Sequence, residues 1–303
     1  MSADELLADR FARDRPHLRA VAYRMVGSLP DAEDAVQQAW LKASRADLRE
    51  VRNLTGWLTT VTARECLDLL RTRRRRAEVA LPEPEFPAPE AGPGGTPVRT
   101  AEEEVLLAES VGLALLVVLD RLSPAQRVAF VLHDLFSVPF DEVGRVLDRS
   151  AVAAKKLASR ARNQVHGAAP ADRRPAARHL PLVAAFLAAS RGGDLETLLD
   201  LLAPDVVRRA DPVLLPPGMP TELRGARTVA EETRHFAARA RMGSVAWADG
   251  GPGIVIAPGG RLMAVLRLTV EAGRIAIIEV VGDRARLDAV TIALPPGPGR
   301  YAG

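Results

Sequence analysis

The stretch FDEVGRVLDRSAVAAKKLASRARNQV, residues 140–165, decides how this chain is read. Phe140, Val143, Val146 and Leu147 recur at helical spacing, and Asp148 and Arg149 then interrupt the pattern as a turn. Ser150 is a residue type that starts a helix, because its hydroxyl can accept a free backbone N–H of the first turn. The helix it opens is expected to turn Ala154, Leu157, Ala161 and Val165 inward. Two short helices around a tight turn form a helix-turn-helix. Between residues 149 and 162 stand Arg149, Lys155, Lys156, Arg160 and Arg162, with no acid among them. A helical hairpin with a basic solvent face would share this pattern, so the surroundings must discriminate.

A second concentration of charge lies upstream, where LRTRRRRAEV at 70–79 sets five arginines into six positions. It ends the segment GWLTTVTARECLDLLRTRRRR, which places Leu58, Thr62, Cys66 and Leu69 on one helical face and Arg64, Asp68, Arg71 and Arg75 on another. Cations suit a helix C-terminus electrostatically, so the run is by itself a solvated helix end as readily as a phosphate-binding surface. Before it, SLPDAEDAVQQAWLKASR at 28–45 has Ser28 three residues ahead of Asp31, a pattern that predicts a capping box. Val36, Ala39, Trp40 and Ala43 form the expected buried stripe, leaving Asp34, Gln37 and Gln38 outward.

The totals set bounds on all of this. With 303 residues, 48% hydrophobic and 26% charged, the chain has a globular composition long enough for two or three domains. Its net charge of +3 hides an uneven distribution: residues 1–76 hold 15 Lys and Arg against 11 Asp and Glu, and 77–102 hold 1 against 5. Localised basic charge, more than the overall sum, marks a nucleic-acid binder. The single cysteine, Cys66, cannot form an internal disulfide and reads as core, and no Cys/His spacing suggests zinc. The start MSADELLADR lacks a signal-peptide pattern, and the longest apolar run, VGLALLVVL at 111–119, is too short to span a bilayer. A cytoplasmic protein without metal, cofactor or membrane association is expected.

LPEPEFPAPEAGPGGTP at 81–97 is too rich in Pro, Gly and Glu to fold alone and reads as a tether. A weaker boundary falls at GAAPADRRPA, 167–176. The expected organisation is a helical block at 1–76, a linker at 77–102, a second helical block at 103–168, a third block at 177–290 and a tail at 291–303. The third block starts with helices, HLPLVAAFLAASRG and DLETLLDLLAP. It continues through a short strand DVVRRAD and a helix near TVAEETRHFAARAR into the strand-like runs SVAWAD, GIVIA, RLMAVLRLTV and GRIAIIEVV. Helices followed by an antiparallel meander predict an α+β domain. DGGPG at 249–253 and PGG at 258–260 read as hairpin turns, since neither leads into a helix as a phosphate loop would.

DAEDAVQQAWLKA, GWLTTVTARECLDLLRTRR and LSPAQRVAFVLHDLFSVPFDEVGRVLDRSAVAAKKLASRAR, in that order and separation, resemble regions two and four of an extracytoplasmic-function sigma factor, a bacterial promoter-recognition subunit. The third block resembles a SnoaL-like domain, a cone-shaped α+β fold of the NTF2-like class. This resemblance implies two all-α sigma domains followed by an α+β cone, with RNA polymerase core enzyme and promoter DNA as partners. It implies that Asp31, Asp34, Gln37 and Gln38 belong to the polymerase-docking helix, with Gln38 replacing a commoner glutamate. Asn53 falls where relatives capture a base flipped from the −10 element, and Arg71, Arg74 and Arg75 where they hold upstream phosphates. Glu65 stands where many relatives have asparagine. Arg149, Ser150, Lys155, Lys156 and Arg160 fall on the outward side of the −35 recognition helix.

SnoaL-like folds host both enzymes and non-catalytic pockets, so the fold alone licenses no reaction. Arg208, Asp211, His235 and Trp247, together with Asp205, are candidates to line a pocket for a small-molecule ligand. No spacing among them specifies catalysis, and DPVLLPPGMP replaces the glycine-rich turn of many relatives. His235 reads equally as an exposed helix residue and Trp247 as core. No catalytic residue is therefore assigned, and the domain is expected to regulate the sigma module in cis. Two other readings stay open: a ligand-sensing factor that binds operators without polymerase, and an enzyme whose helical part only targets it.

Overall fold

The computed structural model describes residues 3–48, 51–79, 112–166 and 174–295. The tether at 81–97 lies outside the described residues. The chain divides into two compact units, one of residues 1–110 and 122–161, the other of residues 111–121 and 162–303.

In the first unit α1 (Ala3–Val26), α2 (Leu29–Ala43) and α3 (Leu54–Val79) pack pairwise. Their shared core takes Leu18, Val21 and Met25 from α1, Ala35, Val36 and Ala39 from α2, and Leu58, Thr62, Cys66 and Leu67 from α3. Most of the apolar stripes read from the sequence thus face inward, but Trp40 and Leu69, expected buried, are only half-buried, and α3 runs past the expected boundary at 76. Burial pushes the Cys66 thiol up to about 12, so it stays protonated and unreactive at neutral pH. The capping box expected at Ser28 does not form: Ser28 is extended and its side chain makes no cap bond. The Asp31 carboxylate pairs instead with Arg73 of α3. A complete capping box stands elsewhere, at the start of α5 (Pro124–Phe130). There Ser123 Oγ accepts from Gln126 N at 3.4 Å and Gln126 Oε1 accepts from Ser123 N at 3.0 Å.

A π-type turn, Val131–Leu135, extends α5, and α6 (Phe140–Leu147) and α7 (Ala151–His166) then form the expected helix-turn-helix. Asp148 ends α6 in the left-handed region, at φ 53° and ψ 48°. The turn folds back tightly on α6: a Cβ on Gly144 would lie 2.6 Å from the Arg149 carbonyl oxygen. Gly144, inside the first helix, is thus the glycine that the turn requires. Replacing it with Val should force backbone apart and destabilise the helix-turn-helix by about 1–3 kcal/mol. A lowered thermal midpoint of α-helical circular dichroism, with α6 and α7 amides exchanging faster, is the expected result. The buried face of α7 is Ala154, Ala158, Ala161 and Val165. Leu157, expected inward, is only half-buried, because contact falls on the next residue of the helical repeat.

The second unit contains α4 (Leu113–Asp120), the last residues of α7, and an α+β domain. The helices are α8 (Arg174–Ala177), α9 (Leu180–Gly192), α10 (Leu195–Leu201), α11 (Ala226–His235), α12 (Ala237–Arg241) and α13 (Arg284–Ala289). The strands are β1 (Leu202–Ala210), β2 (Glu222–Arg224), β3 (Gly243–Ala248), β4 (Gly251–Ile256), β5 (Ala264–Glu271), β6 (Arg274–Val281) and β7 (Ile292–Ala293). They form one seven-stranded sheet in the order β2-β1-β6-β5-β4-β3-β7. The expected meander is β3 to β6, antiparallel throughout, whereas β1 joins β6 in parallel. Asp249-Gly250 and Ala272-Gly273, all at positive φ, make two-residue hairpin turns whose twist matches the strands.

The units depart from the expected blocks at α4. Ala114 to Leu119 are all buried, and a helix apolar on every side needs cover on more than one. Part of that cover comes from β3 and β7, so α4 belongs with the sheet. The expected tail beginning at 291 likewise contributes β7 to the sheet.

Candidate nucleic-acid interface and apolar pocket

Helix α7 presents its charges as the sequence reading expects. Ser150 Oγ accepts from Ala153 N at 3.2 Å and so caps α7. With Ala154, Ala158 and Ala161 inward, Arg149, Lys155, Lys156 and Arg160 are all exposed. Small inward residues bring α7 close to its support while long cations project outward, the form of a helix that enters a DNA groove.

On α2, Asp34, Gln37 and Gln38 are exposed beside the buried Ala35, Val36 and Ala39. Asp31 separates from this trio, since its pair with Arg73, which also donates to the Val26 carbonyl at 2.9 Å, braces α2 and α1 against α3. Lys42 and Glu65 make a similar tie at 2.5 Å, which gives Glu65 a structural role in this chain. Asn53 is exposed and its Oδ1 accepts from Gly56 N at 3.0 Å, capping the first turn of α3. Further along α3, Arg71, Arg74 and Arg75 are exposed, Arg71 lying 3.5 Å from Asp68.

The polar face of α3 meets α6 within the same unit. Arg64 donates to the Arg145 carbonyl at 2.9 Å, and Arg64, Asp68 and Arg71 border a small cleft with Val146 and Asp148. Arg127 of α5 is 3% exposed and donates to the Arg24 carbonyl at the end of α1, at 3.4 Å. Phe136 sits edge-on to His17, with the Arg24 guanidinium 5.2 Å from its ring centroid. The α3 stripe and the helix-turn-helix are therefore in contact in this state. Arg73 and Arg127 gave no local signal, because each bonds to residues far away in sequence.

In the second unit, helices α9, α11 and α12 and strands β1, β4, β5 and β6 line a partly open pocket of about 100 Å³ with a predominantly apolar surface. Of the five candidate residues only Arg208 reaches it. Its guanidinium is 4% exposed, pairs with Glu232 (Nε to Oε2 2.7 Å), and donates to the Pro220 and Thr221 carbonyls at 3.1 and 3.0 Å. Glu232 was missed, since nothing in TVAEETRH marks one glutamate as buried. The other polar lining groups are bonded internally: Ser190 to the Phe186 carbonyl at 2.7 Å, Thr233 to Val229 at 2.7 Å, and Arg239 to Leu214 at 2.6 Å.

Asp211, His235 and Trp247 do not line the pocket. Trp247 is core at 1% exposure, and His235 is exposed on α11, its Nδ1 3.0 Å from the Glu231 carbonyl oxygen. Asp205 is exposed as well. Asp211 is an anchor: its Oδ2 accepts from Gly282 N and Asp283 N, both at 2.9 Å, and its Oδ1 pairs with Arg286. Partial burial pushes its carboxyl up, but those two N–H groups and the guanidinium outweigh burial and hold it below its ordinary value. Its contribution to stability is complete above the unfolded pKa of about 3.9 and is lost as pH falls through the lower folded value. Asp211→Asn should therefore flatten the acid limb of the second unit's stability curve. Hydrogen exchange of β6 amides at pH 3 to 6 measures this; an acid limb as steep as the original's contradicts it.

Among the described residues no cluster of His, Cys, Asp or Glu could hold a metal, and no helix is long and apolar enough to cross a membrane. Family profiles described as Sigma-70 region 2 and Sigma-70, region 4 match residues 11–76 and 112–165. The chain is 46% identical over 205 residues to the ECF RNA polymerase sigma factor SigJ of Mycobacterium tuberculosis, covering 65% of this chain and 62% of that relative. It is 32% identical over 301 residues to the probable ECF RNA polymerase sigma factor SigI of the same species, covering 98% of this chain and 100% of the relative. The crystal structure of M. tuberculosis SigJ aligns with 93% of this chain and 98% of its own at 33% identity, with a TM-score of 0.43.

Proposed function

The chain belongs to the extracytoplasmic-function RNA polymerase sigma factors, and from that premise we propose that it directs RNA polymerase core enzyme to promoters under control of its own C-terminal domain. In this reading Asp34, Gln37 and Gln38 dock on the polymerase. Asn53 and its neighbours receive a flipped −10 base, Arg71, Arg74 and Arg75 hold phosphates, and α7 enters the −35 major groove. Asp31 supports docking indirectly by fixing α2. The site of action is the DNA inside the cell.

One observation carries the regulatory part. The region-four match spans 112–165, yet its first helix, α4, and the end of α7 belong to the compact unit built by the α+β domain. Region-four residues thus fall in both compact units, which supports a link between −35 reading and the C-terminal domain. Run-off transcription with purified core polymerase, comparing the full chain with one ending near residue 168, tests this. Equal promoter activity with and without the C-terminal domain rejects regulation in cis. Failure of the full chain to bind core polymerase rejects the sigma reading itself.

The pocket favours a ligand-binding role over catalysis. The paired state of Arg208, Glu232, Ser190, Thr233 and Arg239 leaves the lining without a free acid-base couple and favours a small, uncharged, apolar guest.

A further inference from the structure

We propose that Val152 selects a thymine in the −35 element, by packing its side chain on the C5-methyl group that thymine presents in the major groove. The role rests on the reading of α7 as the −35 helix. Among the described residues three large apolar side chains are exposed, and Val152 is the most exposed of them at 66%. It is the second residue of α7, beyond the Ser150 cap, and so stands in the first turn. The N-terminal residues of a recognition helix are the ones that reach base edges. Lys155 and Lys156 follow one turn later and flank Val152, and Ser159 continues the same line a turn beyond; all three are exposed. The buried Ala154, Ala158 and Ala161 lie on the opposite face.

A single apolar side chain on a protein surface is ordinary; the position of this one is what carries information. Within the helix valine is the less stable choice, because a β-branched residue loses side-chain freedom there, and alanine stands at 151, 153, 154 and 158 of the same helix. Around Val152 the exposed face carries Arg149, Lys155, Lys156 and Arg160, with no acid from 149 to 160. Those cations suit a phosphate-lined groove, and the small Ala151 and Ala153 leave the valine as the foremost carbon of the first turn. In the major groove cytosine and adenine present amino groups, guanine presents acceptors and thymine presents a methyl group. A valine set against an amino group or an acceptor would displace water and return no hydrogen bond, whereas against the methyl group it loses nothing. The preference is therefore for thymine, above all over cytosine, the other pyrimidine.

A uracil scan with holoenzyme, made from the full chain and core polymerase, tests this. The preferred −35 element is selected from a randomised library, and each of its thymines, on either strand, is replaced singly by uracil, which differs only in lacking the methyl group. One replacement should weaken binding about fourfold, the effect of withdrawing one methyl group from apolar contact. Val152→Ala should bind the thymine and uracil forms of that position equally, and Val152→Ile, which keeps the branched carbons, should retain the penalty. A selected element without thymine overturns the proposal, and so does a scan in which no replacement matters. A penalty that persists in Val152→Ala, or vanishes in Val152→Ile, overturns it as well. The Lys155→Ala/Lys156→Ala variant separates this result from the reading beneath it. Lost −35 discrimination in that variant beside an inert scan removes Val152 alone, whereas unchanged discrimination removes α7 from the groove and the valine with it.

Discussion

Replacing Glu232 with Ala should destabilise the C-terminal unit by about 3–5 kcal/mol, the usual cost of leaving one partner of a buried ion pair without the other. Arg208 is 4% exposed and Glu232 8%, so water cannot solvate the abandoned guanidinium unless the unit opens. The carbonyls of Pro220 and Thr221 would still accept from it, but carbonyl dipoles do not neutralise its charge. A double variant, Arg208→Met with Glu232→Leu, removes the charge together with its partner. It should recover most of the loss, since well-packed apolar replacements of a buried pair are often neutral or stabilising. Because the chain has two units, one unfolding curve would mix them. Trp247 fluorescence in a Trp40→Phe/Trp57→Phe background isolates the second. A Glu232→Ala loss under about 1 kcal/mol, the range of exposed pairs, would mean that this pocket wall is open to solvent.

How much of this was legible in advance depended on the distance over which each signal acts. The helix-turn-helix and the Asp249-Gly250 hairpin rest on local spacing and turn chemistry, and both stand where the sequence puts them. The exposed trio Asp34, Gln37 and Gln38 follows from the apolar residues beside it. Where local rules failed, a distant partner had intervened. Ser28 and Asp31 have capping-box spacing, but Arg73, 42 residues away, takes the Asp31 carboxylate. Asp211 reads as a polar lining residue because it ends a strand, yet Gly282 and Asp283, more than seventy residues on, claim it. Arg121 meets Val290 across 169 residues, a pairing that no window of sequence contains. For the same reason a division into linear blocks could not find that α4 sides with the sheet. The slip from Leu157 to Ala158 on α7 is smaller: both positions continue the helical stripe, and packing selected the smaller side chain for the closer approach.

The two basic helices should respond differently when their charges are removed, and that difference carries the DNA-binding assignment. Lys155→Ala with Lys156→Ala should reduce discrimination between the preferred −35 element and altered ones by about 1–3 kcal/mol for each base-edge interaction removed, between fivefold and more than a hundredfold. Lys155 and Lys156 are exposed on α7, away from buried Ala154, Ala158 and Ala161, so their removal leaves the module's packing intact. Arg71→Ala with Arg74→Ala should weaken holoenzyme binding similarly on every promoter, because a bond to phosphate carries no sequence information. Its signature is the salt dependence, where the slope of log K against log salt should flatten by about one unit for each arginine–phosphate pair removed. Competition binding of holoenzyme to promoters with altered −35 elements, at several salt concentrations, reads both effects at once. Loss of discrimination confined to the α7 variant, with the flattened slope in the α3 variant, is the expected pattern. Unchanged −35 preference in the lysine variant would remove α7 from the groove, and an unchanged slope in the arginine variant would remove α3 from the phosphates.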